Sequence, residues 1–203
     1  GEAAAEVIFH SAGHILGSAS MEIRAEGKKI LFSGDLGNDP SPLIDSPEGP
    51  DDIDYCLMES TYGDRNHEDL KQRKEKLQAI IKESLMDGGA LMIPAFSMER
   101  TQILLLELKD MLKEHGIPSV PIFLDSPLAI KLTEVYNRYR HYFREELRHR
   151  YADVEGMFNF PQLKKTLTTE ESKGINNVAN PKIIIAGAGM SQGGRIIHHE
   201  KRY

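Results

Sequence analysis

Three short segments of the sequence place a histidine, an aspartate and a glutamate among small residues, each directly after an apolar run. SAGHILGSAS carries His14, FSGDLGN carries Asp35 and LMESTYGDR carries Glu59. Glycine and serine beside them allow several backbones to crowd one point, which a metal site or a phosphate site requires. Imidazole and carboxylate are the usual nitrogen and oxygen ligands of zinc, and a carboxylate can bridge two metal ions. The segments therefore raise the hypothesis of a shared metal site.

Spacing alone does not establish that hypothesis. One histidine and one aspartate fall short of the three or four protein ligands that a zinc site normally takes. A turn histidine and a turn aspartate therefore explain His14 and Asp35 better at this level. Glu59 could orient a metal-bound histidine or cap the segment that follows it, and neither role is favoured.

A glycine-rich segment, GAGMSQGGR at residues 187–195, follows the most apolar predicted strand and begins a helix. Glycines let successive N–H groups converge on an anion, and the start of the helix and Arg195 add positive charge. The spacing departs from the dinucleotide-binding fingerprint, because Gln192 stands where its third glycine would be. A tight strand-to-helix turn explains the segment equally well. The candidate phosphate-binding residues are Ser191, Gly193, Gly194 and Arg195.

Two further groups of polar residues are interpreted structurally. Asp125-Ser126-Pro127 lies where a predicted strand meets a helix, an edge at which open sheets bind ligands, but Ser-Pro there is typical of helix capping. His198 and His199 are neighbours on a predicted helix and face about 100° apart, so they cannot both point at one metal. Solvent exposure is expected for both histidines.

The elements that must position these residues change character along the chain. The first part, up to about residue 60, predicts short strands with a hairpin turn at EGKK and a surface loop over residues 38–52. Beyond it strands alternate with helices, among them a helix over residues 67–88, one capped by Ser97 and one capped by Ser126. An irregular segment is expected up to Asn180. Alternation of this kind predicts an α/β fold with a mostly parallel sheet covered by helices.

Composition bounds the class of protein. A chain of 203 residues with 40% hydrophobic and 28% charged residues is long enough for one large domain or two small ones. The net charge of −6 gives no general attraction to nucleic acid, so a polyanion would need a local basic or metal-bearing patch. Cys56 is the only cysteine, and no leader segment or long apolar span occurs. We therefore expect a soluble, cytoplasmic protein with no membrane partner.

Taken in order, the motifs resemble those of the β-CASP branch of the metallo-β-lactamase-fold nucleases. AGHILGSAS is similar to the third lactamase motif, whose histidine is a zinc ligand, and this falls on His14. FSGDLGN is similar to the fourth motif, whose aspartate bridges two zinc ions, and this falls on Asp35. ESTYGDRNH is similar to the first β-CASP motif, whose acidic residue falls on Glu59. IPAFSMERTQILL, FLDSPLA and AGAGMSQGGRIIHH resemble segments of the family's RNA-directed members.

This resemblance implies partial metallo-β-lactamase strands over residues 1–60, followed by a β-CASP domain over residues 61–203. It also implies a zinc-dependent phosphodiester hydrolase acting on RNA, and it is compatible with a homodimer. His14 and Asp35 would be metal ligands, and Asp35 and Glu59 would be the catalytic residues. RNA would lie along the glycine-rich segment at residues 187–195.

The sequence also departs from the family pattern. The principal metal-binding motif, H-x-H-x-D-H, is absent, since the histidines at 10, 14, 67, 115, 141, 149, 198 and 199 include no H-x-H pair. The last two β-CASP motifs would lie beyond Tyr203. We therefore expect an internal fragment with weak zinc affinity and little hydrolysis of its own. Three alternatives stay open: a DNA-directed nuclease of the same superfamily, a non-catalytic Rossmann-like nucleotide-binding domain, and a lactamase-fold hydrolase of small esters or thioesters.

Overall fold

The structure is a computed structural model that describes residues 4–66, 69–152, 156–188 and 190–203. It divides into two compact units. The first unit contains Gly1–His67 and Arg140–Ala152, and the second contains Glu68–Tyr139 and Asp153–Tyr203. No helix in the described ranges is both long enough and apolar enough to cross a membrane. The assignment of residues 1–60 and 61–203 to two domains of the resembled family remains a prediction.

The first unit is built on a four-stranded sheet in the order β1-β2-β3-β4. Strands β1 (Glu6–Ser11), β2 (Ala19–Ala25) and β3 (Lys28–Phe32) are antiparallel neighbours, and β4 (Tyr55–Leu57) pairs in parallel with β3. The predicted hairpin turn at EGKK is confirmed, because β2 and β3 pair around Glu26 and Gly27, which have φ values of 49° and 73°. The predicted loop over residues 38–52 contains no helix or strand.

A short helical segment completes the first unit. A single 3-10 turn at Arg140–Tyr142 precedes α4 (Glu145–Arg150). Phe143 between them is buried and forms an isolated antiparallel bridge with Ile44. The Arg144 N–H donates to the carbonyl of Leu43 at 3.0 Å. The long loop after β3 therefore gains its order from a segment about a hundred residues further along the chain.

The second unit has a fully parallel four-stranded sheet in the order β5-β8-β6-β7. Its strands are β5 (Ala90–Pro94), β6 (Ile122–Asp125), β7 (Leu163–Lys165) and β8 (Lys182–Ala186). Every residue of the central strands β6 and β8 is buried, as their continuous apolar sequences require in a sheet covered on both faces. The covering helices are α1 (Leu70–Met86), α2 (Arg100–Lys113), α3 (Pro127–Arg138), α5 (Thr169–Gly174) and α6 (Ile196–Glu200). The predicted α/β class with a mostly parallel sheet is confirmed.

Several local predictions can be compared with the structure. Ser126 caps α3 and accepts from the Ala129 N–H at 3.3 Å, with Pro127 at the first helical position, as predicted. The predicted Ser97 cap is wrong, because α2 begins at Arg100 and the Ser97 carbonyl instead accepts from the side chain of Gln102. The segment expected to be irregular up to Asn180 contains β7 and α5. The predicted start of α1 at residue 67 lies outside the described residues.

Candidate active site

The loops that carry His14 and Asp35 are in direct backbone contact in the first unit. Gly37, two residues after Asp35, donates its N–H to the carbonyl of Ala12 at 2.8 Å. A Cβ on Gly37 would collide with the carbonyl oxygen of Gly13, and a Cβ on Gly13 would lie 2.7 Å from the Pro47 nitrogen. Gly13 also has a φ of 62°, which disfavours other residues. The small residues around these positions therefore serve close backbone approach as well as turn formation.

His14 lies at the exposed tip of the β1–β2 connection. The hydroxyl oxygen of Ser18 accepts from the N–H of His14 at 3.0 Å and from the N–H of Ile15 at 3.2 Å. Ser18 in turn donates its own N–H to the Ile15 carbonyl at 2.9 Å. These contacts fix the loop backbone. His14 is exposed, so its imidazole is accessible to a metal ion.

Glu59 joins the same group of loops from the end of β4. Its Oε1 accepts from the N–H of Leu36 at 2.7 Å, directly after Asp35, and its own N–H donates to the Ser33 hydroxyl at 3.0 Å. Hydrogen bonds from the Thr61 hydroxyl and then from the Leu36 N–H hold the pKa of the Glu59 carboxyl below its usual value of 4.5, and a positive charge on His14 would act in the same direction. Glu59 is therefore a carboxylate at neutral pH and lies within electrostatic range of His14.

The donor set of these loops fits part of a zinc site. An exposed imidazole after β1 and an exposed carboxylate after β3, two strands that end at the same edge of the sheet, are donors that zinc accepts, and Glu59 is anchored next to Asp35. Within the described ranges, no group of three or more histidine, cysteine, aspartate and glutamate side chains is arranged to hold a metal ion. His14 and Asp35 as ligands, and Asp35 and Glu59 as catalytic residues, stay predictions.

The other predicted residues lie in the second unit, in the connection from β8 to α6. Ile196 donates its N–H to the Gly187 carbonyl at 2.9 Å, and Ala188 donates to the Gly193 carbonyl at 3.2 Å. Gly194 has a φ of 72° and touches the Gly187 backbone so closely that a Cβ there would collide with it. Ser191 donates its hydroxyl to Glu200 at 2.5 Å. The connection is thus a compact turn that closes on itself.

A buried carboxylate, that of Asp125 in the segment predicted to be a helix cap, holds this turn in place. Asp125 at the end of β6 is fully buried. Its Oδ1 accepts from the Thr166 hydroxyl at 2.6 Å and from Arg195 Nη1 at 2.7 Å. Its Oδ2 accepts from the Ser172 hydroxyl at 2.7 Å and lies 2.7 Å from His199 Nε2. One side chain therefore links β6 to the β7–α5 connection, α5, the glycine-rich turn and α6.

This arrangement sets the charge of Asp125. Burial alone raises the pKa of the carboxyl, but the hydrogen bonds from His199, Thr166, Ser172 and Arg195 together hold it well below its usual value of 3.8. Asp125 is therefore ionised throughout the physiological range. The expected exposure of His199 is wrong, because its side chain is 4% exposed and points at Asp125, whereas His198 is exposed as expected.

Arg195 is engaged inside the second unit. Besides Asp125, its guanidinium donates to the carbonyl of Thr166 at 3.0 Å and to the carbonyl of Leu167 at 3.0 Å. The phosphate contact expected of Arg195 stays a prediction, and these acceptors favour a role in holding the turn. The buried arrangement around Asp125 was missed from the sequence. Its one signal was an aspartate at the carboxyl end of an apolar strand, where polar side chains of a parallel sheet gather.

Comparison with known proteins defines the class of protein. The Beta-Casp domain family matches residues 101–203 of this chain. The chain therefore belongs to the β-CASP family, and the resemblance inferred from the sequence motifs is confirmed.

Three relatives illustrate the range of similarity. Ribonuclease TTHA0252 of Thermus thermophilus is 37% identical over 98% of the chain, which covers 46% of that relative. An RNase J-like protein of Methanocaldococcus jannaschii is 35% identical over 95% of the chain and 45% of the relative. Cleavage and polyadenylation specificity factor subunit 3-I of Arabidopsis thaliana is 30% identical over 91% of the chain and 26% of the relative. The chain thus spans less than half the length of these relatives.

Proposed function

We propose that the whole protein is a zinc-dependent ribonuclease that hydrolyses phosphodiester bonds of RNA. The observation that carries the proposal is the backbone contact between the loops of His14 and Asp35, with Glu59 anchored beside Asp35. The names of the relatives support RNA as the substrate. A cytoplasmic location is part of the proposal, and a homodimer remains a prediction that no contact in this chain addresses.

Each residue would have a distinct role in this reaction. Zinc, when bound, would supply Lewis-acid stabilisation and an activated water molecule. His14 and Asp35 would contribute two of its ligands from loops whose geometry is fixed by the Gly37 contact with Ala12. Glu59 would keep the Asp35 loop in register through its bond to Leu36.

In the second unit, the predicted RNA-binding residues occupy one turn. Ser191, Gly193 and Gly194 would face the RNA backbone, and Arg195 would act chiefly by holding the turn through Asp125. Half or more of the hydrogen bonds in protein–DNA complexes go to phosphate and sugar, and RNA is also bound through its 2′-hydroxyls and phosphates, so backbone amides in such a turn suit this role.

Cleavage of a labelled single-stranded RNA by the full-length protein tests the proposal. We expect His14→Gln and Asp35→Asn each to lower kcat by at least about a hundredfold, because each removes a ligand or bridge of a metal site. Asp51→Asn is the matched control, since Asp51 is an exposed aspartate on the loop after β3. Wild-type kcat in the first two variants would contradict the proposed site.

Two further measurements separate the DNA-directed nuclease and the nucleotide-binding domain from this proposal. Equal or faster cleavage of a DNA oligonucleotide of the same sequence would favour a DNA-directed nuclease. Thermal stabilisation by free nucleotides, without cleavage of either polymer, would favour a non-catalytic nucleotide-binding domain. Zinc content is measured on the full-length protein after dialysis, with loss of zinc in Asp35→Asn as the expected result.

A further inference from the structure

The carboxyl edge of the parallel sheet in the second unit has an apolar surface. All four strands run in the same direction, so the connections that follow them lie at one edge of the sheet. Each of these connections exposes at least one large apolar side chain. They are Phe96 (45% exposed) and Met98 (46%) after β5, Leu128 (59%) after β6, Leu167 (49%) after β7 and Met190 (66%) after β8. Exposed apolar side chains that follow all four strands at one edge of a sheet make this edge a candidate binding surface.

Buried polar side chains hold the backbone beneath Phe96 and Met98. The hydroxyl of Thr101 donates to the Phe96 carbonyl at 2.6 Å, and Nε2 of Gln102 donates to the Ser97 carbonyl at 3.2 Å. Thr101 and Gln102 are both buried. The loop is therefore fixed from its inner side, and Phe96 and Met98 are presented to solvent by an ordered backbone.

The acidic residue within this loop is turned away from the surface. Glu99 has a φ of 53° and is 9% exposed, and its Oε2 accepts from the Tyr136 hydroxyl at 2.7 Å. Its neighbour Arg100 is exposed, and its guanidinium carbon lies over the Phe96 ring, 5.8 Å from the ring centroid. The exposed part of the loop is thus apolar and cationic, which suits a polyanion with aromatic groups.

The opposite side of the edge is equally ordered. Leu167 donates its N–H to Glu171 at 2.7 Å, and its carbonyl accepts from Arg195 at 3.0 Å. Arg195 also belongs to the turn that is predicted to face phosphates. Apolar side chains and the glycine-rich turn therefore share one edge of one sheet.

We propose that this edge binds unpaired bases of single-stranded RNA, with a base stacking on the face of the Phe96 ring that Arg100 does not cover. The proposal rests on the proposed ribonuclease function and assigns a base-stacking position to the second unit. A stacking platform with a neighbouring arginine accepts any base, because every base has a π-face, so it selects single strands rather than a sequence.

Two substitutions at Phe96 distinguish stacking from general apolarity. Phe96→Tyr keeps the ring, and Phe96→Leu keeps an apolar side chain without a ring. Binding is measured with the full-length protein and chelator, using fluorescence anisotropy of a labelled single-stranded RNA dodecamer and of its duplex. We expect Phe96→Leu to weaken single-strand binding by about tenfold, within the range for loss of one base–aromatic stack, and Phe96→Tyr to bind like the wild type. Duplex binding should be the same in all three proteins.

Other results would overturn the inference. Equal single-strand affinity of the leucine and tyrosine variants would exclude stacking, as would an equal loss for the duplex. A lowered Tm of Phe96→Leu with unchanged RNA affinity would mean that another part of the full-length chain covers this edge. Wild-type cleavage with no effect of Phe96→Leu on binding would refute this inference alone. Ring-dependent binding without any cleavage would refute the proposed ribonuclease function instead.

Discussion

Removal of the Asp125 carboxylate tests the most heavily connected side chain of the second unit. Asp125→Ala leaves Arg195 without its ionic partner and leaves His199, which is 4% exposed, without an acceptor. Loss of one partner of a buried ion pair costs about 3–5 kcal/mol, because the remaining charge stays desolvated. The hydroxyls of Thr166 and Ser172 lose the same acceptor. We therefore expect the free energy of unfolding to fall by at least about 3 kcal/mol.

Urea unfolding of the 203-residue chain, followed by far-ultraviolet circular dichroism, measures this loss. A loss of this size corresponds to a Tm decrease of roughly 10 °C for a chain of this length. Asp125→Asn is a second variant that keeps the shape of the side chain. It replaces one acceptor oxygen with an amide N–H₂ group, which would then face another hydrogen-bond donor. Asp64→Asn is the control, since Asp64 pairs only with its exposed neighbour Arg65 in the contacts described, and we expect little change from it.

The pH dependence supplies an independent check of the same reasoning. The folded-state pKa of Asp125 lies below the ordinary value of 3.8, so its stabilising contribution is complete above about pH 4 and is lost as the pH falls further. The stability difference between wild type and Asp125→Asn should shrink as the pH falls below about 4. A loss under about 1 kcal/mol at pH 7, or a difference that grows in acid, would refute the argument that this carboxylate organises the unit.

Three smaller changes address the loops and caps. Gly37→Ala should lower the Tm of the chain, because the added Cβ collides with the backbone of Gly13. Gly49→Ala is the control, since a Cβ there has open space and should leave the Tm unchanged. Equal Tm values for the two variants would contradict the close approach. Thr168→Ala should cost about 1 kcal/mol in urea unfolding, because it removes the hydroxyl that accepts from the Glu171 N–H in the α5 capping box, and no change would argue against that cap. Glu59→Gln in the full-length protein should lower kcat about tenfold or more, because the negative charge is lost while the amide oxygen still accepts from the Leu36 N–H. A kcat within about twofold of wild type would exclude a role for the charge.

The features that were predictable from the sequence are those with local causes. The Ser126 cap with Pro127 depends on residues within one helical turn, and the hairpin at EGKK depends on the turn itself. The Thr168-x-x-Glu171 pattern was also a local signal for the start of α5, although the segment was expected to be irregular. The Ser97 cap failed because Thr101 and Gln102 bind the preceding carbonyls and delay the helix start to Arg100.

The Asp125 arrangement could not be predicted in this way. Asp125 and His199 are 74 positions apart, and they meet only because β6 and β8 pair in parallel and end at the same edge. His199 shares a helix face with the buried Ile196 three residues earlier, but that spacing does not identify Asp125 as its partner. Motif order across nearly the whole chain predicted the family, whereas individual contacts required the strand register.

The two units stabilise their strand-end loops by different physical means, and this determines which substitutions each tolerates. In the first unit, the loops of His14 and Asp35 touch through backbone at Gly13 and Gly37, so an added side-chain atom is the damaging change. In the second unit, the glycine-rich turn also has a close backbone contact at Gly194, but it is held in addition by the ionised Asp125, so loss of charge is damaging there even when volume is kept. Asp→Asn at 125 should therefore damage the fold, whereas Asp→Asn at the exposed Asp35 should leave stability near that of the wild type and act on metal binding and catalysis alone. A matched pair of unfolding curves for these two isosteric changes separates structural from chemical carboxylates in this chain.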